Sequence, residues 1–177
     1  MPVSLVDFSS NTDYVDSVYA DANLFCYART RNSPYYTKAA KILGSLIIQD
    51  VPLYISHLVI DEVWWAFLRA WYRSSTGSNL TAQICKRNPS IFKRFSNLLE
   101  RNTDKILNFP NLNMVSSERP KDVIQNAKRL YLSENLMPRD SFHLAFAITN
   151  GIRGFITSDR DFDNLTLPNY NLTIYKY

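Results

Sequence analysis

Short β-prone apolar runs alternate with longer amphipathic stretches along this chain, and that alternation constrains the fold more than any single motif. Ser17–Ala20, Val51–Ser56, Leu112–Val115, Gly154–Thr157 and Tyr170–Tyr175 read as strands. Between them the spacing predicts helices. One begins near Asn23, and a second carries Ala39, Leu43, Leu46 and Ile47 on one face. A third, from His57 to about Tyr72, is apolar on nearly every side, the pattern of a buried helix. Asn88-Pro89 opens a fourth, with Ile91, Phe95, Leu98 and Ile106 aligned. Two more run from about Lys121 to Glu134 and from Pro138 to the C-capping Gly151. Strands separated by helices make an α/β protein with a mainly parallel sheet of about five strands.

A chain of 177 residues, 46% hydrophobic, fits one domain with a sizeable core and excludes general disorder. Residues 17–177 read as that domain. Met1–Asp16 reads as a polar N-terminal extension, and residues 73–106 as a basic helical insertion. No apolar run reaches the ~18 residues of a membrane span, and the leader lacks a basic and an apolar region, so the expected location is cytoplasmic. Cys26 and Cys85 form no CxxC pair and read as buried or incidental thiols. Two histidines, His57 and His143, do not suffice for a conventional zinc site. A phosphate loop of the GxxxxGK[ST] type is absent, and Asp21-Ala-Asn23 lacks the second acid of a phosphoaspartyl DxD pair.

The stretch FITSDRDFD concentrates three of the chain's 16 acids at the exit of a strand, as Asp159, Asp161 and Asp163. Ligands of open parallel sheets bind beyond the carboxyl ends of the strands. Asp21 and Asp159 fall at such ends, while Glu62 and Asp140 fall early in helices that follow strands. Singly, Asp21 reads equally as a helix N-cap, Asp140 as a complement to a helix dipole and Asp159 as an Asx turn. Glu62 is the sharpest signal, because a carboxylate in an apolar helix needs a partner; Asp61 competes with it for the inward position. Brought together, the acids would repel one another, and a divalent cation relieves that conflict. Oxygen ligands alone suit Mg²⁺ or Mn²⁺, the ions of phosphoryl chemistry.

The segments YADANLF (Asp21, Asn23), SHLVIDEVW (Glu62), PRDSFHLAFA (Asp140) and FITSDRDF (Thr157, Asp159, Asp161) together resemble the PIN-domain ribonucleases, and among them the VapC-type toxins of toxin–antitoxin pairs. The likeness runs from about residue 17 onward. It implies a three-layer α/β/α sandwich and a Mg²⁺- or Mn²⁺-dependent hydrolysis of RNA that leaves a 5′-phosphate and a 3′-hydroxyl. Asp21, Glu62, Asp140 and Asp159 would be the catalytic, metal-holding acids, with Asn23 and Thr157 in support. Asp161 reads equally as a fifth acid or as a turn residue, and Asp163 as a turn or cap residue. Expected partners are RNA, a cognate antitoxin and a second copy of the chain. The toxins' last motif usually carries asparagine where Asp159 stands, and compact toxins are shorter, so the general nuclease class is the firmer expectation. The alternative is a PIN scaffold that binds RNA or protein without turnover.

The insertion is rich in lysine and arginine, and Lys93 and Arg94 are its candidate RNA-phosphate contacts, against the reading of a solvated helix face. The net charge of +4 permits an anionic partner without establishing one. His143, one turn beyond Asp140, reads as a packing histidine more readily than as a general base. Trp64, Trp65, Phe67 and Trp71 read as core or interface rather than as a base-stacking platform.

Overall fold

The computed structural model describes residues 3–9, 12–116 and 118–177. Six parallel strands form one sheet: β1 (Ser4–Asp7), β2 (Val18–Ala20), β3 (Leu53–Ile55), β4 (Leu112–Met114), β5 (Gly154–Thr157) and β6 (Thr173–Lys176). Their order in space is β1-β6-β5-β2-β3-β4. The central strands are apolar and buried on both faces, as a parallel sheet covered by helices requires.

Among the described residues seven α-helices accompany them: α1 (Ala22–Arg29), α2 (Tyr36–Ile48), α3 (His57–Thr76), α4 (Ala82–Arg87), α5 (Ser90–Leu107), α6 (Pro120–Glu134) and α7 (Pro138–Thr149). From β2 the chain steps outward through β3 to β4, then returns through α6 and α7 to β5 on the other side of β2. Parallel strands that step outward in both directions from β2 place their connecting helices on both faces of the sheet, the three-layer sandwich that the resemblance implies. The same reversal opens a crevice beyond the carboxyl ends of β2 and β5. Gly154 lets these two strands close up, since a Cβ there would stand 2.5 Å from a Val18 methyl.

One strand beyond the expected five, β1, lies inside what reads from sequence as a polar extension. Ser4–Asp7 pairs in register with Thr173–Lys176, so the leader contributes to the sheet rather than standing outside it. At an edge it needs few apolar residues, and its four side chains are mostly exposed. Met1, Pro2, Ser10 and Asn11 of that leader lie outside the described residues.

Two further differences bear on function. On α2 the buried face is Ala39, Ile42 and Leu46, with Ile47 turned to solvent. More consequentially, α3 is not buried all round. Its inner side, Val59, Val63 and Phe67, joins the main core, while Trp64 is 46% exposed and donates its indole N–H to Thr103 Oγ1 at 2.7 Å. The last turns of α3 carry a separate apolar cluster, in which Leu68 meets Leu80, Cys85, Ile91 and Phe95, flanked by Trp65, Trp71 and Tyr72. The insertion is therefore held by a small core that it shares with α3, while its Leu99 and Ile106 reach the main core. Its loop-like stretch resolves into the end of α3, a reversal at Gly77 (φ +70°) and the short α4.

Candidate active site

Asp21 follows β2 directly and N-caps α1, where its Oδ1 accepts the Leu24 N–H at 3.3 Å. It is 6% exposed. Its other oxygen accepts a 2.5 Å hydrogen bond from the Thr157 hydroxyl at the end of β5, and that hydroxyl accepts the Asp159 N–H at 2.9 Å. One threonine thus fastens together the two strand exits. Burial pushes the Asp21 carboxyl up to about 6, although the Thr157 bond favours the charged form.

Asp159 caps the following 3₁₀ turn, Arg160–Phe162, by accepting the Asp161 N–H at 3.0 Å. That turn aims Asp161 back at Asp159. Asp140, in the first turn of α7, completes a group in which one oxygen from each of Asp140, Asp159 and Asp161 lies within 4.8 Å of the others. No cation pairs with these three acids among the described residues. Partial burial, then the charge of Asp159 and to a smaller degree those of Asp161 and Glu62, pushes Asp140 up to about 6. Three close carboxylates with no salt-bridge partner among the described residues, all hard oxygen donors, fit a divalent cation such as Mg²⁺, Mn²⁺ or Ca²⁺ better than zinc.

Glu62 adjoins this group from α3 and acts electrostatically on both Asp21 and Asp140. Its Oε2 lies 2.9 Å from His143 Nε2, and Arg139 reaches its Oε1 at 3.5 Å. Asp61 is the outward acid: it is exposed and pairs with the same arginine at 3.3 Å. His143 is buried, and its Nδ1 lies 2.9 Å from the Tyr19 hydroxyl, itself 2.7 Å from Ser56 Oγ. A buried chain Ser56–Tyr19–His143–Glu62 therefore holds the glutamate in place. With Nε2 donating to Glu62, Nδ1 accepts from the Tyr19 hydroxyl and Tyr19 in turn accepts from Ser56, so every member is satisfied.

Asn23, at the second position of α1, is half-buried and has no side-chain hydrogen-bond partner among the described residues. Burial pushes the nearby Cys26 thiol up to about 12, which makes it a poor nucleophile. Lys93 and Arg94 stand exposed on α5 and pair with no acid among the described residues.

Sequence reasoning missed two cations. Arg139 was hidden in the run PRD, where its neighbour Asp140 draws the eye. Lys176 bonds the backbone carbonyl of Asp159 and sits 2.7 Å from Asp163, so it pins the acid-bearing turn to β6. A lysine inside the apolar run TIYKY was its only signal. Asp163 is thus both the end of the turn and the lysine's partner.

A family model described as PIN domain matches residues 18–166. No curated protein sequence matches the chain. Among solved structures, the Mycobacterium tuberculosis toxin VapC20, described as cleaving the sarcin–ricin loop, superposes with a TM-score of 0.50 at 14% identity. The match covers 83% of this chain and 93% of VapC20. Rickettsia felis VapBC2, solved with a DNA fragment from its promoter, gives 0.51 at 13% identity, covering 90% of this chain and 98% of its own. At such identities the likeness is one of fold. The family match, however, extends from β2 past the acid-bearing turn and takes in every acid of the rim, and the chain belongs to the PIN-domain family.

Proposed function

We propose that the chain is a ribonuclease that uses Mg²⁺ or Mn²⁺ to hydrolyse RNA phosphodiester bonds, of the kind that serves as the toxin of a VapC-type pair. The observation that carries this reading is the trio Asp140, Asp159 and Asp161, with oxygens within 4.8 Å and no paired cation among the described residues. Membership of the PIN family and the toxin-like fold support it.

In this reading Asp140, Asp159 and Asp161 hold the metal, with Asp21 and Glu62 completing the acidic rim. A divalent ion bound there lowers the pKa of water and stabilises the negative charge that develops on the phosphate. The chain's own residues supply position. Thr157 fixes Asp21 and the backbone of Asp159 through one hydroxyl. His143 and Arg139 hold Glu62 from two sides, so it faces the crevice as a proton acceptor for the attacking water. Water adds to phosphorus as Glu62 takes its proton, the P–O3′ bond breaks, and a solvent water protonates the departing 3′-oxygen, its own proton loss balanced when Glu62 releases the one it took. The products carry a 5′-phosphate and a 3′-hydroxyl. Asn23, on the helix that Asp21 caps, is the supporting polar group of this reading. Lys93 and Arg94 add phosphate attraction from the insertion. An antitoxin and a second copy of the chain are the protein partners this class implies.

The test is cleavage of an end-labelled RNA by the pure protein and by Asp140→Asn, with Mn²⁺, Mg²⁺ or EDTA. The reading predicts metal-dependent cleavage with 5′-phosphate ends, lowered on the order of 10³-fold or more in the folded variant. Equal cleavage by both proteins, or cleavage in EDTA, contradicts it. Binding without cleavage by either protein favours the scaffold reading.

A further inference from the structure

Helix α3 carries more than Glu62 on the face it turns to the crevice. At ~100° per residue, Arg69 and Arg73 project within roughly 20° of Glu62, about 10 and 16 Å farther along the axis at ~1.5 Å per residue. Both arginines are exposed, and neither pairs with an acid among the described residues. They border a cleft of ≈ 280 Å³ with Ala66, Ala70, Asn79 and Leu80.

The cleft is constructed rather than incidental. Gly77, in the left-handed conformation, caps α3 and turns the chain back along it. Leu80 then plugs into the small apolar cluster against Leu68 and Cys85, which fixes the far wall and sets Asn79 opposite the arginines. Ala66 and Ala70 leave the floor shallow, so an anion can approach the helix surface. Two arginines one turn apart on an exposed face repel each other, and an anion between them removes that conflict.

We propose, building on the nuclease reading, that this cleft binds a backbone phosphate of the substrate RNA outside the scissile bond. Guanidinium groups bind phosphate bidentately, and the Asn79 amide is a further donor. The distance along α3 corresponds to roughly three to five nucleotides at the ~3.4 Å rise of a stacked strand. The helix that holds Glu62 at one end thus grips the same strand at the other. Lys93 and Arg94 belong to α5 and line no part of this cleft.

The experiment compares steady-state cleavage of a tetranucleotide and a twelve-nucleotide RNA by the parent, Arg69→Gln/Arg73→Gln and Arg69→Lys/Arg73→Lys across a salt series. For the glutamine variant the twelve-mer KM rises about tenfold near 0.1 M salt, with kcat held. The slope of log KM against log salt flattens by about 1.4, two contacts at ~0.7 each. Tetranucleotide kinetics stay at the parental level, and the lysine variant retains the salt slope. Unchanged twelve-mer KM and slope overturn the proposal, as does an equal loss on both substrates. So does a defect seen only in binding a protein partner. If the parent cleaves neither RNA, the nuclease reading fails, and binding of the labelled twelve-mer in EDTA then decides the cleft. Equal affinity of parent and glutamine variant there overturns it.

Discussion

The acidic rim and the basic insertion, two regions joined by α3, solve opposite electrostatic problems by opposite means. At the rim, Asp21, Thr157 and Asp159 are locked to strand ends and helix caps by backbone and buried hydrogen bonds, so the carboxylates have little freedom to separate. Burial and, at Asp140, the neighbouring charge of Asp159 are retained in the fold, visible in the raised carboxyls of Asp21 and Asp140. In the insertion the charges sit on long exposed side chains, and the segment is secured by Leu68, Leu80, Cys85, Ile91 and Phe95 instead. Charge can be removed there without touching what holds the segment together. The rim carries strain suited to a resident cation, whereas the insertion carries charge suited to a transient anion.

Disturbing the rim's clamp should have the largest effect. Thr157→Val keeps the shape but removes the donor to Asp21 and the acceptor for Asp159 N–H. Metal affinity or cleavage should fall about 10- to 100-fold, with Thr157→Ser recovering most of it. A valine variant with parental metal affinity and cleavage would dissolve the distinction between the regions.

These buried and crowded carboxyls make a second test. Asp21 and Asp140 rise from 3.8 to about 6, so between those values the metal-free folded state binds more protons than the unfolded state. Stability from these groups therefore falls as pH rises through that window, and the penalty is fully present at pH 7. Metal-free protein should lose about 1 kcal/mol through Asp21 between pH 5 and 7, and a screened fraction of that through the more exposed Asp140. Denaturant titrations in EDTA measure this, and in Asp21→Asn the pH-dependent loss should shrink. Stability independent of pH from 5 to 7 in the parent would show that the rim is not strained.

Insertion charges should have the mildest effect. Lys93→Glu/Arg94→Glu should weaken RNA binding severalfold and flatten its salt dependence by about 1.4 in slope, leaving kcat and stability near parental values. Unchanged RNA affinity at low salt would remove these two residues from the interface.

The same contrast explains what was legible in the sequence. Acids at strand exits announce themselves locally, since an apolar run followed by Asp reads the same way in the chain as in the fold. Asp21 and Asp159 stand out by that rule; Asp161 reads equally as a turn residue, and Asp140 is singled out by its place in the first turn of a Pro-initiated helix, which follows α6 rather than a strand. Their partners do not stand out, because Lys176 meets Asp159 and Arg139 meets Glu62 only once the sheet order is known. His143 read as a packing residue, and it is buried; that it connects Glu62 to Tyr19 comes from the crossing of α3, α7 and β2. The uniform hydrophobicity of α3 misled for a related reason: periodicity records how much apolar surface a helix has, not how many cores share it. Strand β1 was missed because four mostly exposed residues at an edge leave no apolar signature.

The central claim is that the rim holds a divalent cation through Asp140 and its two neighbours. Calorimetric titration of Mn²⁺ into the metal-free protein at pH 7, beside Asp140→Asn, tests it most directly. The account predicts saturable binding by the parent and loss of most of that affinity in the folded variant. No saturable binding by the parent, or the same affinity in both proteins, would contradict it.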